Sequence, residues 1–192
     1  MRVFVLLGKC KMKKILFLDL EDTIIEPVLN GWYNFIPKNI VEVKQFIEEN
    51  HFHEISIFSF AIWDQNQKKS FENSCKKWLE KELNIQFSMV PTMDDEILHS
   101  CCKQKKIHPK SIDFKDIIDF WSKDLSFLLC IQDWFEKEKD IEIWFLDDAI
   151  EDIDFHLKKN NIHLKFRNID HLILEKNLIE KTEQSTIKKY KN

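Results

Sequence analysis

Apolar residues along this chain fall into short unbroken runs and longer stripes at helical spacing, and their alternation sets the expected elements. ILFL, Ile15–Leu18, is an unbroken run too short for a helix, so it predicts a strand buried on both faces. Glu54–Ser59, Gln86–Val90, Ile141–Leu146 and 162–166 read as four further strands. Between them, Asn39–Asn50 carries Ile40, Val43, Phe46 and Ile47 on one helical face, and Asp64–Leu83 carries Phe71, Cys75, Trp78 and Leu79. Phe114–Phe120, Leu125–Phe135 and 150–159 also read as helices, and the last twenty residues as helical or frayed.

Strands alternating with helices predict an α/β fold, a doubly wound, Rossmann-like parallel sheet with flanking helices. The expected domain covers 1–170, with 171–192 as a tail. Residues 24–38, with Pro27, Gly31 and Pro37, read as a loop, and 91–113 as a small insertion or loop. Met12 opens an ordinary start, MKKILFLDLEDT, so residues 1–11 read as an extension or an added strand. No internal repeat, low-complexity segment or Pro/Gly linker divides the chain.

Composition adds limits rather than chemistry. With 192 residues, 44% hydrophobic and 12% aromatic, the chain can bury the core of one domain. It has 2 glycines, alanine only at 61 and 149, and arginine only at 2 and 167, beside abundant Lys, Ile, Asn and Phe. That resembles an AT-rich coding bias, so turns are expected from Asn and Asp instead of Gly.

Net charge is −4, from 29 basic and 33 acidic residues, which gives no broad attraction to nucleic acid or an anionic membrane. Lys103, Lys105, Lys106 and Lys110 are dense enough for a local patch, but a solvated loop is the simpler reading. No apolar run approaches the ~18 residues of a membrane span, and MRVFVLLGKC lacks a cleavage pattern, so a cytoplasmic protein is expected. The five cysteines, at 10, 75, 101, 102 and 130, contain no CxxC pair and are expected to be reduced. His99, Cys101, Cys102 and His108 fit tetrahedral zinc poorly, because the cysteines are adjacent.

The informative chemistry lies at two strand ends. ILFLDLEDT runs straight from apolar residues into Asp19, Glu21, Asp22 and Thr23, and IEIWFLDD ends in Asp147 and Asp148. Ligand crevices in parallel sheets open at such ends, and two of them can converge on one Mg²⁺, which takes a few carboxylates plus water and phosphate oxygens. Taken singly, each acid could as well be a turn or helix-cap residue, with Asp147 and Asp148 capping a helix near Ala149. Ser59 and Lys123, the latter 24 residues before Asp147 (147 − 123), complete an ordered set; Lys115 is the reserve lysine.

In that order, strand acids, strand hydroxyl, lysine and strand acids, the chain resembles the haloacid dehalogenase superfamily of phosphotransferases across about residues 12–170. Its first motif is hhhhDxDx[TV]; ILFLDLEDT matches at Asp19 and Thr23 and departs at Glu21. The double acid and the FSF around Ser59 look more like small phage and bacterial members than the metabolic ones. A receiver domain has its acid pair first, and a TOPRIM site needs an early Glu and a late DxD, so neither fits.

The resemblance implies a haloacid dehalogenase-like fold with little or no cap domain and a Mg²⁺-dependent phosphatase. Asp19 would attack phosphorus to form an aspartyl phosphate, and Glu21, one methylene longer than Asp, would act as acid and base. Ser59 and Lys123 would hold phosphoryl oxygens. Asp19, Glu21 (through its carbonyl), Asp147 and Asp148 would surround the metal, and Thr23 would orient the loop. An open site would admit a nucleotide, a polynucleotide end or a phosphoprotein. Trp32, Tyr33 and Trp63 could stack on a base, although packing is the simpler role. The alternative is a catalytically weak phosphate-binding or protein-interaction module that kept the pocket after Glu21 changed the acid/base position.

Overall fold

The structure, a computed structural model, describes residues 12–27, 31–59, 61–62, 64–92, 138–158 and 160–178. The first strand, β1 (Lys13–Leu18), lies inside the sheet with apolar side chains on both faces: Leu16 and Leu18 enter one buried cluster, Ile15 and Phe17 another. β2 (Glu54–Ile57) pairs parallel on one side of β1 and β3 (Ile141–Asp147) parallel on the other. Next to β3, a hairpin of β4 (Ile153–Leu157) and β5 (Ile162–Asn168) completes the order β2-β1-β3-β5-β4. β5 is parallel to β3, and β4 is antiparallel to β5. The chain is therefore α/β with a mixed, mostly parallel sheet.

Among the described residues four α-helices contribute to the first cluster: α1 (Ile40–Asn50) through Val43, Phe46 and Ile47, α2 (Gln65–Asn73) through Phe71, α3 (Cys75–Leu83) through Cys75, Leu79 and Leu83, and α4 (169–178) through Ile169, Leu172 and Ile173. The second cluster consists of strand residues with Phe58 and Ile150, and no helix among the described residues contributes to it. Burial pushes the Cys75 thiol up to about 12, so it stays neutral and acts as a packing group. No helix among the described residues is long and apolar enough to cross a membrane.

Several sequence expectations are corrected. The stripe over 64–83 is two helices. The first is capped by Asp64, whose Oδ1 accepts the Asn66 and Gln67 N–H groups at 2.8 and 2.9 Å while Gln67 Oε1 accepts the Asp64 N–H. The break falls at Ser74, whose hydroxyl turns back to donate to the Ser70 carbonyl at 2.6 Å. The strand over 86–90 reduces to one bridge, Phe87 beside Ile55. The helix over 150–159 is instead β4, with Ile153, Phe155 and Leu157 facing the second cluster and Asp154 and His156 facing out. No helix starts at Ala149, so Asp147 and Asp148 are not helix caps. Within the segment read as a loop, 24–38, Ile25 bridges Pro37 and Glu26 N–H donates to the Ile36 carbonyl at 2.9 Å.

The amino end of β3 carries one acid within its apolar run. Glu142 is only 8% exposed, and it accepts the Trp144 indole N–H at 2.6 Å between Lys14 at 3.7 Å and Lys165 at 3.4 Å. Trp144 in turn meets Phe46 and Phe52 edge-on, with centroids 5.5 and 5.7 Å apart. An ion pair inside a hydrogen-bonded network can be buried where a lone carboxylate could not.

Candidate functional site

The register of the two central strands sets the site. Leu18 lies opposite Leu146, so the next residues, Asp19 just past β1 and Asp147 at the end of β3, stand side by side, and Asp19 N–H donates to the Leu146 carbonyl at 3.0 Å. β1 lies between β2 and β3 in the sheet, and its carboxyl end stands beside that of β3. Asp19 and Asp147 are almost fully buried, at 1% and 0% exposure, and Asp148 is half-buried. Each of the three offers a carboxylate oxygen, and these oxygens all lie within 4.8 Å of one another.

Thr23 is drawn into this group by a tight turn. Ile24 and Ile25 N–H both reach the Leu20 carbonyl, Asp22 adopts a positive φ of 59°, and the chain folds back over the end of β1. The buried Thr23 hydroxyl then stands 3.3 Å from Asp19 Oδ2 and 3.4 Å from Asp148 Oδ1. Having one proton, it donates to one carboxylate at a time. Two contacts secure the turn: Asn39 Nδ2 donates to the Thr23 carbonyl at 3.1 Å, and Lys38 pairs with Asp22 at 3.1 Å.

On the other strand, Asp147 Oδ1 accepts the Ala149 N–H at 2.8 Å, which curls residues 148–150 around it. Asn168, opposite Asp147 at the end of β5, holds the same loop by donating from Nδ2 to the Asp148 and Ile150 carbonyls, both at 2.8 Å. Asp152 accepts the Asn168 N–H at 2.7 Å and meets His171 Nδ1 at 2.9 Å. That side-chain hydrogen bond to Asp152 holds the His171 pKa above the ordinary histidine value.

Ser59, Glu21, Trp32 and Tyr33 are the other expected site residues among those described. Ser59 follows β2 beside the end of β1, where Phe58 N–H donates to the Leu18 carbonyl at 3.0 Å, and is buried with its Oγ accepting the Ala61 N–H at 3.3 Å. Glu21 is not in the three-acid grouping; it lines a cavity of about 520 Å³ that lies between Trp32 and the start of α2 at Asn66 and Gln67. Trp32 packs into the core, edge-on to Phe71 at 5.0 Å, so its role is packing, while Tyr33 is exposed. Lys123, Lys115, Trp63, the 103–110 lysines and the His99 to His108 group lie outside the described residues.

Sequence reading missed Asn168 and Asn39. Asn168 left a usable signal, an Asn after an apolar run and before a helix, which is an N-cap pattern. Asn39 precedes α1 in the same way, but its side chain reaches Thr23 instead of capping the helix.

Three carboxylates with oxygens this close repel one another unless protons or a cation lie among them, and an all-oxygen donor set suits a hard divalent ion. Asp19, Asp147 and Asp148 could therefore hold a hard divalent ion such as Mg²⁺, with the Thr23 hydroxyl within reach of two of the carboxylates. Comparison with known proteins finds no family model, no curated protein and no solved structure that matches the chain.

Proposed function

We propose that this chain is a Mg²⁺-dependent phosphatase of haloacid dehalogenase type, acting through an aspartyl phosphate. The observation that carries the reading is the convergence of Asp19, Asp147 and Asp148, with oxygens within 4.8 Å, at the end of two adjacent parallel strands. Bound Mg²⁺ would neutralise charge on the phosphoryl oxygens, which otherwise repel an anionic nucleophile.

The chain's own groups account for the rest. The Asp19 carboxylate attacks phosphorus, the ester P–O bond breaks, and the leaving oxygen takes a proton from Glu21. Glu21 then accepts a proton from the water that attacks the aspartyl phosphate, which releases inorganic phosphate and restores Asp19. The cavity beside Glu21 is the natural seat for the leaving group. Ser59 supplies a hydroxyl near the end of β1, and Lys123 remains the proposed cation for the phosphoryl oxygens. The substrate is a nucleotide, a polynucleotide end or a phosphoprotein.

A second reading, a phosphate- and metal-binding module with little turnover, is favoured by Glu21, which is one methylene longer than the Asp of the resembled motif at the acid/base position. Hydrolysis of a generic aryl phosphate with Mg²⁺ separates the two. The enzyme reading expects turnover that falls roughly 10³-fold or more in Asp19→Asn without loss of fold. Retained binding of phosphate or beryllofluoride without turnover would favour the binding module.

A further inference from the structure

We propose that Asn168 is a positioning residue for the metal site, an inference that rests on reading the three-acid cluster as that site. Its side-chain amide is used on both sides. Nδ2 donates to the Asp148 and Ile150 carbonyls at 2.8 Å each, while Oδ1 accepts the N–H groups of Asp170 and His171 at 2.9 and 3.4 Å, at the start of α4. Its backbone N–H is fixed separately, at 2.7 Å from Asp152 Oδ1.

The residue type follows from this pattern. Two donors on one side and an acceptor on the other require a carboxamide; a serine can cap the helix but cannot bridge two carbonyls, and an aspartate would turn oxygens toward them. The clamp therefore joins a rigid helix start to the one loop that carries Asp148 and supplies the Ala149 N–H to Asp147. Fixing that loop fixes both carboxylates before an ion arrives, so less ordering remains to be done on binding. Nothing in this role requires Asn168 to touch metal or substrate.

The test uses the full chain and Mn²⁺ as a spectroscopically visible divalent probe. Asn168→Ser keeps the cap acceptor and removes both donors, so Mn²⁺ affinity by electron paramagnetic resonance should fall roughly 10–100-fold, while circular dichroism stays that of the wild type. Equal Mn²⁺ affinity in wild type and Asn168→Ser overturns the positioning role and leaves the metal reading standing. A wild type that binds no Mn²⁺ overturns the metal reading and this inference with it. If Asn168→Ser does not fold, nuclear magnetic resonance of the wild type decides: Asn168 side-chain amide protons that exchange slowly and shift on Mg²⁺ addition support the clamp, and fast-exchanging, unmoved ones overturn it.

Discussion

Thr23 and Asp148, 125 residues apart in the chain, stand 3.4 Å from hydroxyl oxygen to carboxylate oxygen, with Asp19 3.3 Å from the same hydroxyl. One side chain thus ties the turn after β1 to the loop after β3. Thr23→Val preserves the shape and removes the proton donor, leaving two carboxylates to repel across the gap. Mn²⁺ affinity should fall by roughly tenfold in this variant, as for other residues that orient ligands, and Thr23→Ser should recover most of it. Unchanged affinity in Thr23→Val would show that the hydroxyl is spectator packing.

Repulsion among Asp19, Asp147 and Asp148 also predicts how stability responds to divalent ions. Mg²⁺ at 100 times its dissociation constant should stabilise the folded chain by about 2.7 kcal/mol, and for a chain of this size each kcal/mol moves the melting temperature by roughly 2–4 °C. Asp147→Asn should melt higher than the wild type without Mg²⁺ and gain less when it is added. Equal gains in the two proteins, measured by scanning calorimetry, would remove Asp147 from the ligand set.

Glu142 gives a prediction independent of function. Glu142→Ala leaves the Trp144 indole N–H without its 2.6 Å acceptor and takes the shared partner from Lys14 and Lys165. The expected loss is about 1–3 kcal/mol of unfolding free energy, the cost of orphaning a buried donor. Glu142→Gln keeps an acceptor and should lose less. Urea titration with matched m-values distinguishes the two.

His171 predicts a pH dependence. Because hydrogen bonding to Asp152 raises its folded-state pKa, the contribution of this contact is fully present below the ordinary histidine value near 6.5 and fades as pH rises through the folded pKa. In a nuclear magnetic resonance titration the imidazole midpoint should lie above 6.5, and Asp152→Asn should lower it. A midpoint unmoved by that substitution would place the cause elsewhere.

The parts of this fold that were legible in the sequence are those with a single physical reading. β1 is built on the unbroken apolar run Ile15–Leu18 and β3 on a run interrupted only by Glu142, and the acids that end them meet because the strands are neighbours in register. β4 was not legible, since Ile150, Ile153 and Leu157 fit helical spacing as well as Ile153, Phe155 and Leu157 fit a strand; only pairing with β5 decides. The break at Ser74 was hidden because the stripe of Phe71, Cys75 and Leu79 runs through it. Asn168 was legible only in part: its place before a helix marks a cap, but its hold on two carbonyls of another loop is a contact that no local pattern encodes.

The hairpin of β4 and β5, at one border of the sheet among the described residues, has a consequence for solution behaviour. An outermost strand offers unpaired backbone groups to any passing chain, and the hazard grows with length and greasiness. Among the described residues that position is held by the five residues of β4, with Asp154 and His156 turned outward and Asp154 bound to Arg167 at 2.6 Å. A second copy arriving along that margin would have to desolvate its charges for a short ladder, so this border resists fibril-like stacking.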